Sequence, residues 1–202
     1  MAEENPLQSM TERAAAAIRL AQTGIEAMTT GPSLPSTVER ATAAVTLRPA
    51  IGQGTDTTTV RLRDGTTCDV EEGPWQIVAD LGPDLGGSHD HPGPAFLLRA
   101  ALATCFAQTA ALWAAKLGVT IDHLEVEVDA AHDARGLLGV DETAPRFTDL
   151  RYRIRIESPA PADEVRRVLD AAAAHSPVHD SLQHALPIER QVQIESPAAS
   201  QP

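Results

Sequence analysis

A long alanine-rich stretch over residues 94–117, PAFLLRAALATCFAQTAALWAAKL, constrains the fold of this chain more than any other feature. Alanine and leucine are strong helix formers, a first helical turn tolerates Pro94, and Gly118 is a typical helix terminator. From residue 101 onward, four polar residues interrupt the apolar ones: Thr104, Gln108, Thr109 and Lys116. The pattern therefore predicts a buried core helix rather than a membrane span, with Cys105 in its middle.

Charge and cysteine content exclude several classes of protein. The chain carries 28 acidic and 16 basic residues, a net charge of −12, which disfavours binding to nucleic acids and anionic membranes. Two cysteines make no disulfide framework and suit a reducing compartment. The opening MAEENPLQSM lacks the basic and apolar regions of a secretory signal. We therefore expect a soluble, cytoplasmic protein without a cofactor.

Proline-rich segments divide the chain. Residues 9–28 are predicted to form a helix, since Ser9 and Glu12 have capping-box spacing, and TTGPSLPS ends it. We predict an N-terminal helical extension over residues 1–37, a main domain over 38–196 and a disordered tail over 197–202.

Alternation and turn residues predict the elements of the main domain. Strands are predicted over 38–49, 56–70 with a turn at Asp64–Gly65, 74–82, 123–133, 150–158 and 188–196. Helices are predicted over 94–117, 161–175 and, as a short turn or helix, 176–187. The loops cover 82–94 and 134–147. This order predicts an α+β domain with helices on one face of a largely antiparallel sheet.

Three stretches together resemble the OsmC/Ohr family of osmotically inducible and organic-hydroperoxide-resistance proteins. They are the helix PAFLLRAALATCFAQTAALWAAKLG, the strand pair LEVEVDAAHDARGLLG and FTDLRYRIRIESPA, and the segment VRRVLDAAAAHSPVHDSLQHAL. The resemblance implies an antiparallel sheet wrapped around long central helices in an intertwined homodimer. It also implies thiol-dependent reduction of organic hydroperoxides.

The resemblance assigns roles to individual positions. Cys105 matches the family's reactive cysteine, whereas Ser176 stands where members carry a resolving second cysteine. Ala95, after Pro94, stands where members have a glutamate that orients an arginine. Arg48, placed near the end of the first predicted strand, is the best match for that arginine, with Arg61 and Arg63 as alternatives.

Two functions remain open on these grounds. In the first, Cys105 reduces hydroperoxides in a one-cysteine, peroxiredoxin-like cycle of the oxidative stress response that needs an external thiol. In the second, the chain is a non-catalytic OsmC-like module that binds a small apolar ligand in the former active-site pocket. Cys68 is predicted to be an unreactive strand cysteine, although it is an alternative resolving thiol.

Two histidine clusters and a few aromatic residues complete the candidates. His89 and His91 precede the core helix, whereas His175, His179 and His184 surround Ser176. We expect solvated loop histidines and no bound metal, although a Cys/His metal site remains the alternative. The aromatic residues are predicted to anchor the core or line an apolar pocket: Trp75, Trp113, Phe96, Phe106 and Phe147. Arg151, Arg153 and Arg155 are predicted to pair with carboxylates on a solvated sheet face.

Overall fold

The computed structural model describes residues 31–184 and 186–195 of this chain. The helix predicted over 9–28 and the tail predicted over 197–202 lie outside the described residues. The described residues divide into two compact units, one formed by the residues up to Asp56 together with Ala115–Gly118, and the other by Thr57–Ala114 together with the residues from Val119 onward.

The first unit contains a helix where the sequence predicted a strand. Helix α1 spans Leu34–Leu47 and is followed by a 3₁₀ turn over Pro49–Gly52. The prediction of a strand over 38–49 is therefore wrong, because alanines fit both an alternating and a helical pattern while strongly favouring the helix. The predicted boundary after residue 37 falls inside this helix.

The second unit begins with three antiparallel strands in the order β1-β2-β3, which span Thr59–Asp64, Thr67–Glu72 and Trp75–Ala79. The β1–β2 hairpin turns at Gly65–Thr66, between the paired residues Asp64 and Thr67, and Gly65 has a φ of 55°, a conformation that glycine adopts without steric cost. The predicted hairpin is therefore confirmed, with its turn one residue later than the predicted Asp64–Gly65. Trp75, predicted to anchor a core or a pocket, is instead 76% exposed on β3.

The remaining elements include the long predicted helix. They are α2 over Pro94–Leu117, β4 over His123–Ala131, α3 over Ala134–Leu138, β5 over Asp149–Glu157, α4 over Ala162–His175 and α5 over Pro177–Gln183. Strands β4 and β5 pair antiparallel from His123 opposite Glu157 to Ala131 opposite Asp149. Both long helices and this strand pair were predicted and are confirmed.

The core of the second unit joins one face of α2 to one face of α4. Phe106, Ala110 and Ala114 recur every four residues along α2. The apolar stripe of α4 contributes Val168 and Ala172, both fully buried. Half-buried side chains of β4 and β5 cover this pair of stripes. Among the described residues, α2 alone is long and apolar enough to cross a membrane, a test that soluble core helices also pass.

The outer face of β4–β5 carries ion pairs. Arg153 bonds Glu127 and Asp129 at 2.7 Å each, and Arg155 bonds Glu125 at 3.0 Å. Arg151 pairs with Asp149 on its own strand. The prediction that these arginines pair with carboxylates is confirmed, and such exposed pairs add little stability.

The closing strand predicted over 188–196 is absent from the described residues of that segment, 188–195, which have no strand pairing. Ile188, Val192 and Ile194 are 94%, 67% and 87% exposed. Alternation alone does not produce a strand, because a strand also needs a neighbour for its backbone hydrogen bonds.

Candidate active site

Cys105 lies at the edge of the buried stripe of α2. It precedes Phe106, which is 3% exposed, and is itself half buried. Its position in the middle of a 24-residue helix places its thiol far from the helix N-terminus. The positive end of the helix dipole therefore does not reach the sulfur, since that effect is confined to the first turn.

Ser176 lies against this sulfur. Ser176 Oγ donates a hydrogen bond to Cys105 Sγ at 3.2 Å, across 71 positions of the chain. The serine is fully buried, and the sulfur is its hydroxyl's sole hydrogen-bond partner among the described residues. A buried hydroxyl needs a partner, and a thiolate accepts a hydrogen bond better than a thiol does.

The backbone around Ser176 explains why this hydroxyl is available. Ser176 separates α4 from α5 and is the N-cap residue of α5, where serine commonly bonds a backbone N–H of the first turn. Within the described chain, its hydroxyl makes no such cap and bonds the sulfur instead. Pro177 at the first position of α5 removes one N–H that would otherwise need a partner.

A tyrosine and a histidine form a second polar pair in this region. Tyr152 Oη and His179 Nδ1 are 2.9 Å apart, and their rings stack with centroids 5.6 Å apart. The Tyr152 ring also packs against Phe106, with centroids 5.3 Å apart. Burial, followed by the negative charge of a Cys105 thiolate, raises the pKa of Tyr152 to about 12. The phenol therefore stays protonated at neutral pH.

The loop before α2 is fixed by the carboxylate of Asp80, which is 3% exposed. The carboxylate accepts hydrogen bonds from Thr66 Oγ1 at 2.7 Å, from Leu81 N and Ser88 N at 2.8 Å, and from Ser88 Oγ at 2.9 Å. These bonds, the one from Thr66 foremost, hold the pKa of Asp80 well below its ordinary range. A side chain at Gly87 would place its Cβ 2.0 Å from Leu81 O, so the tight turn requires glycine.

The three candidate arginines have different surroundings. Arg61 and Arg63 lie on β1 and pair with Glu71 and Asp69 of β2, at 2.5 and 3.4 Å. Arg48 is the C-cap residue of α1 in the first unit, so its predicted location near the end of a strand is wrong.

The histidines around Ser176 have separate neighbours. His175 stacks on Trp113 at 4.6 Å between centroids, whereas His184 lies 3.2 Å from Asp180. Across residues 31–184 and 186–195, no group of three or more His, Cys, Asp or Glu side chains is arranged to hold a metal ion. Cys68 lies on β2, where its thiol faces Thr66 O at 3.8 Å.

Cys105 and Ser176 were predicted from the sequence as site residues, but the pairing of Tyr152 with His179 was not predicted. Because Arg151 and Arg153 are predicted to face solvent, strand alternation places Tyr152 between them on the inner face of β5, and His179 belongs to the histidine cluster around Ser176. One signal was available: Tyr152 is the only tyrosine of the chain, at a position predicted to face inward.

Phe106 is buried as predicted, whereas Phe96 is 52% exposed.

Solved structures identify the fold class. The chain is similar to an OsmC-like protein from Mycoplasma pneumoniae, with 22% identity, a TM-score of 0.58, and coverage of 66% of this chain and 90% of that one. It is also similar to an organic hydroperoxide resistance protein, OsmC, from Legionella pneumophila (17% identity, TM-score 0.50, coverage 65% and 92%). A third similar structure is an organic hydroperoxide resistance protein from Elizabethkingia anophelis, with 14% identity, a TM-score of 0.51, and coverage of 66% of this chain and 92% of that one. The α+β domain therefore has the OsmC-like fold.

The family follows from the sequence match. The family model for OsmC-like proteins matches residues 87–190, which is just over half of the chain. The chain belongs to the family of OsmC-like proteins. A search of the curated proteins found no match.

Proposed function

We propose that this protein reduces organic hydroperoxides with Cys105 as the nucleophile. The observation that carries the proposal is the 3.2 Å hydrogen bond from the buried Ser176 hydroxyl to Cys105 Sγ. A donor aimed at the sulfur stabilises its anionic form, and the thiolate is the form that attacks peroxides. Membership of a family in which similar structures bear the name organic hydroperoxide resistance protein supports this choice.

The proposed reaction forms a sulfenic acid. The Cys105 thiolate attacks the terminal oxygen of the hydroperoxide, its electron pair forms the S–O bond, and the O–O bond breaks with its pair leaving on the alkoxide. The alkoxide takes up a proton and departs as the alcohol. Sulfur is oxidised, and the peroxide is reduced by two electrons.

Reduction of the sulfenic acid requires an external thiol. Ser176 occupies the position next to the sulfur, and a hydroxyl cannot form a disulfide. A thiol from solution condenses with the sulfenic acid and releases water, and a second thiol then displaces Cys105 from the mixed disulfide. Arg48 remains our proposed stabiliser of the thiolate.

We also propose that the chain works as a soluble homodimer. Several large apolar side chains of β1, β3 and α2 are exposed in the single chain: Val60, Leu62, Trp75, Ile77, Phe96 and Leu112. Exposed apolar surface of this extent is typical of a subunit interface.

Mass spectrometry of the full chain treated with one equivalent of tert-butyl hydroperoxide tests the reaction. We expect one added oxygen on Cys105, or an adduct when a small thiol is present, and no Cys105–Cys68 disulfide. Excess peroxide is expected to drive Cys105 to the sulfinic acid, because no internal thiol traps the intermediate. Alkylation of Cys105 with iodoacetamide provides the control that the sulfur is accessible.

An unmodified Cys105 after this treatment would overturn the proposal. The protein would then fit the second candidate, a module that binds an apolar ligand at a structural cysteine.

A further inference from the structure

We propose that Tyr152 is a further catalytic residue, which gives its phenolic proton to the departing alkoxide, and that His179 restores this proton. The inference deepens the proposed function and rests on it. Breaking the peroxide O–O bond releases an alkoxide, a strong base, so a positioned acid lowers the barrier to this step.

The location of the pair supports this role. Ser176, which bonds the Cys105 sulfur, is followed by α5, and His179 lies in the first turn of that helix. The Tyr152 hydroxyl meets the His179 ring at 2.9 Å, and its own ring packs against Phe106, the neighbour of Cys105. These contacts connect α2, β5 and α5 next to Cys105, and the charge of a Cys105 thiolate also acts on the Tyr152 phenol.

The protonation of the phenol suits a donor. Burial and the thiolate charge keep Tyr152 protonated at neutral pH, as its raised pKa shows. Because a phenol both donates and accepts, the bond between Tyr152 and His179 runs in either direction. When the Nδ1–H of His179 donates to the Tyr152 oxygen, the phenolic proton is free to point at the leaving oxygen.

The proton balance is then complete. As the O–O bond breaks, the proton of Tyr152 moves to the alkoxide oxygen and forms the alcohol. The Nδ1 proton of His179 moves to the phenolate oxygen while Nε2 takes up a proton from water, so the imidazole relays one proton. His179 is only half buried, so its ring is in contact with water.

The leaving group provides the test. In a Cys68→Ala background, single-turnover oxidation of Cys105 is measured with tert-butyl hydroperoxide, which releases an alkoxide, and with peracetic acid, which releases the weakly basic acetate. Tyr152→Phe is expected to lower the rate with tert-butyl hydroperoxide about 100-fold, within the usual range for a lost general acid. The rate with peracetic acid, whose leaving group needs no proton, is expected to stay within about 3-fold.

His179→Asn tests the relay without removing the tyrosine. An asparagine amide can still bond the phenol but cannot pass a proton, so the same selective loss is expected. His184→Asn, on the solvent-exposed residue that follows α5, is the matched control and should leave both rates unchanged.

The controls separate the possible failures. If both variants, Tyr152→Phe and His179→Asn, slow the reaction equally with the two oxidants, the pair is structural and the relay is overturned. Unchanged rates in both variants would also overturn the relay. In either case the proposed function would stand if the parent protein is oxidised. A parent protein that reacts with neither oxidant would overturn the proposed function and the relay together.

Discussion

Replacing Ser176 with cysteine should restore an internal disulfide with Cys105. The serine oxygen and the cysteine sulfur are 3.2 Å apart, whereas bonded sulfurs are about 2.05 Å apart. A sulfur at the position of the serine oxygen must therefore move about 1.1 Å closer to Cys105 Sγ. The Cβ–Sγ bond of cysteine is longer than the Cβ–Oγ bond of serine, which provides part of this movement. We expect the two thiols to cross-link on oxidation with little movement of the backbone.

The size of the stability change follows from the loop that the bond closes. The two residues are 71 positions apart, for which the chain-entropy estimate is about 4 kcal/mol at 25 °C. Engineered disulfides often give less, and the fully buried site leaves little room for a larger atom. Because about 1 kcal/mol raises the Tm of a chain of this size by about 2–4 °C, the oxidised variant should melt about 10 °C above its reduced form.

The assay compares oxidised and reduced Ser176→Cys in a Cys68→Ala background. One equivalent of hydroperoxide should remove both free thiols and lower the mass by two hydrogens, instead of adding the single oxygen expected for the parent. A Cys105→Ala variant of the same protein cannot cross-link and serves as the control. Separate oxidation of both cysteines without a cross-link would refute the contact between Cys105 and residue 176.

Three other predictions test Asp80, the proposed dimer and the proposed role of Arg48. Asp80→Asn should lower the free energy of unfolding by about 2 kcal/mol, measured in urea at pH 7, because an amide nitrogen would face groups that donate to the carboxylate. Since the pKa of Asp80 is depressed in the folded state, the parent should lose this contribution as the pH falls below about 4, the ordinary aspartate pKa, and the variant should lose less. Sedimentation at micromolar concentration should show a dimer, whereas a stable, well-folded monomer would contradict the proposed interface. Arg48→Gln should slow alkylation of Cys105 at pH 7, whereas Arg40→Gln on the same helix should leave it unchanged; equal rates would exclude Arg48 as the thiolate stabiliser.

The fold was predictable where the periodicity was long and its alternatives were few. The 24-residue helix α2 has a proline at its start and a glycine after its end, and β4 and β5 alternate over nine residues each. Helix α1 was missed because short runs of alanine, threonine and valine satisfy both periods. The segment over 188–195 has strand alternation, but strand formation depends on a neighbouring strand that the local sequence does not specify.

The candidate site was predictable only in part, because its contacts also depend on residues that are distant in the sequence. The resemblance to a family placed Cys105 and Ser176 at matching positions, and the structure brings their side chains within 3.2 Å. Local patterns indicated that Tyr152 faces inward, but they carry no information about which residue meets it. Tyr152 and His179 are 27 positions apart, separated by the end of β5, by α4 and by the turn at Ser176, so their contact depends on tertiary packing.

The burial of Ser176 also constrains the order of the proposed reaction. Because Ser176 is fully buried against the sulfur, it closes one side of Cys105, and the half-exposed side remains for reactants. The hydroperoxide and the reducing thiol must then approach the sulfur from the same side, so they cannot be bound there together. The cycle should therefore be ping-pong, with the alcohol released before the thiol enters. Parallel double-reciprocal plots for the two substrates are the expected result, whereas intersecting lines would mean that the thiol has a separate route to the sulfur.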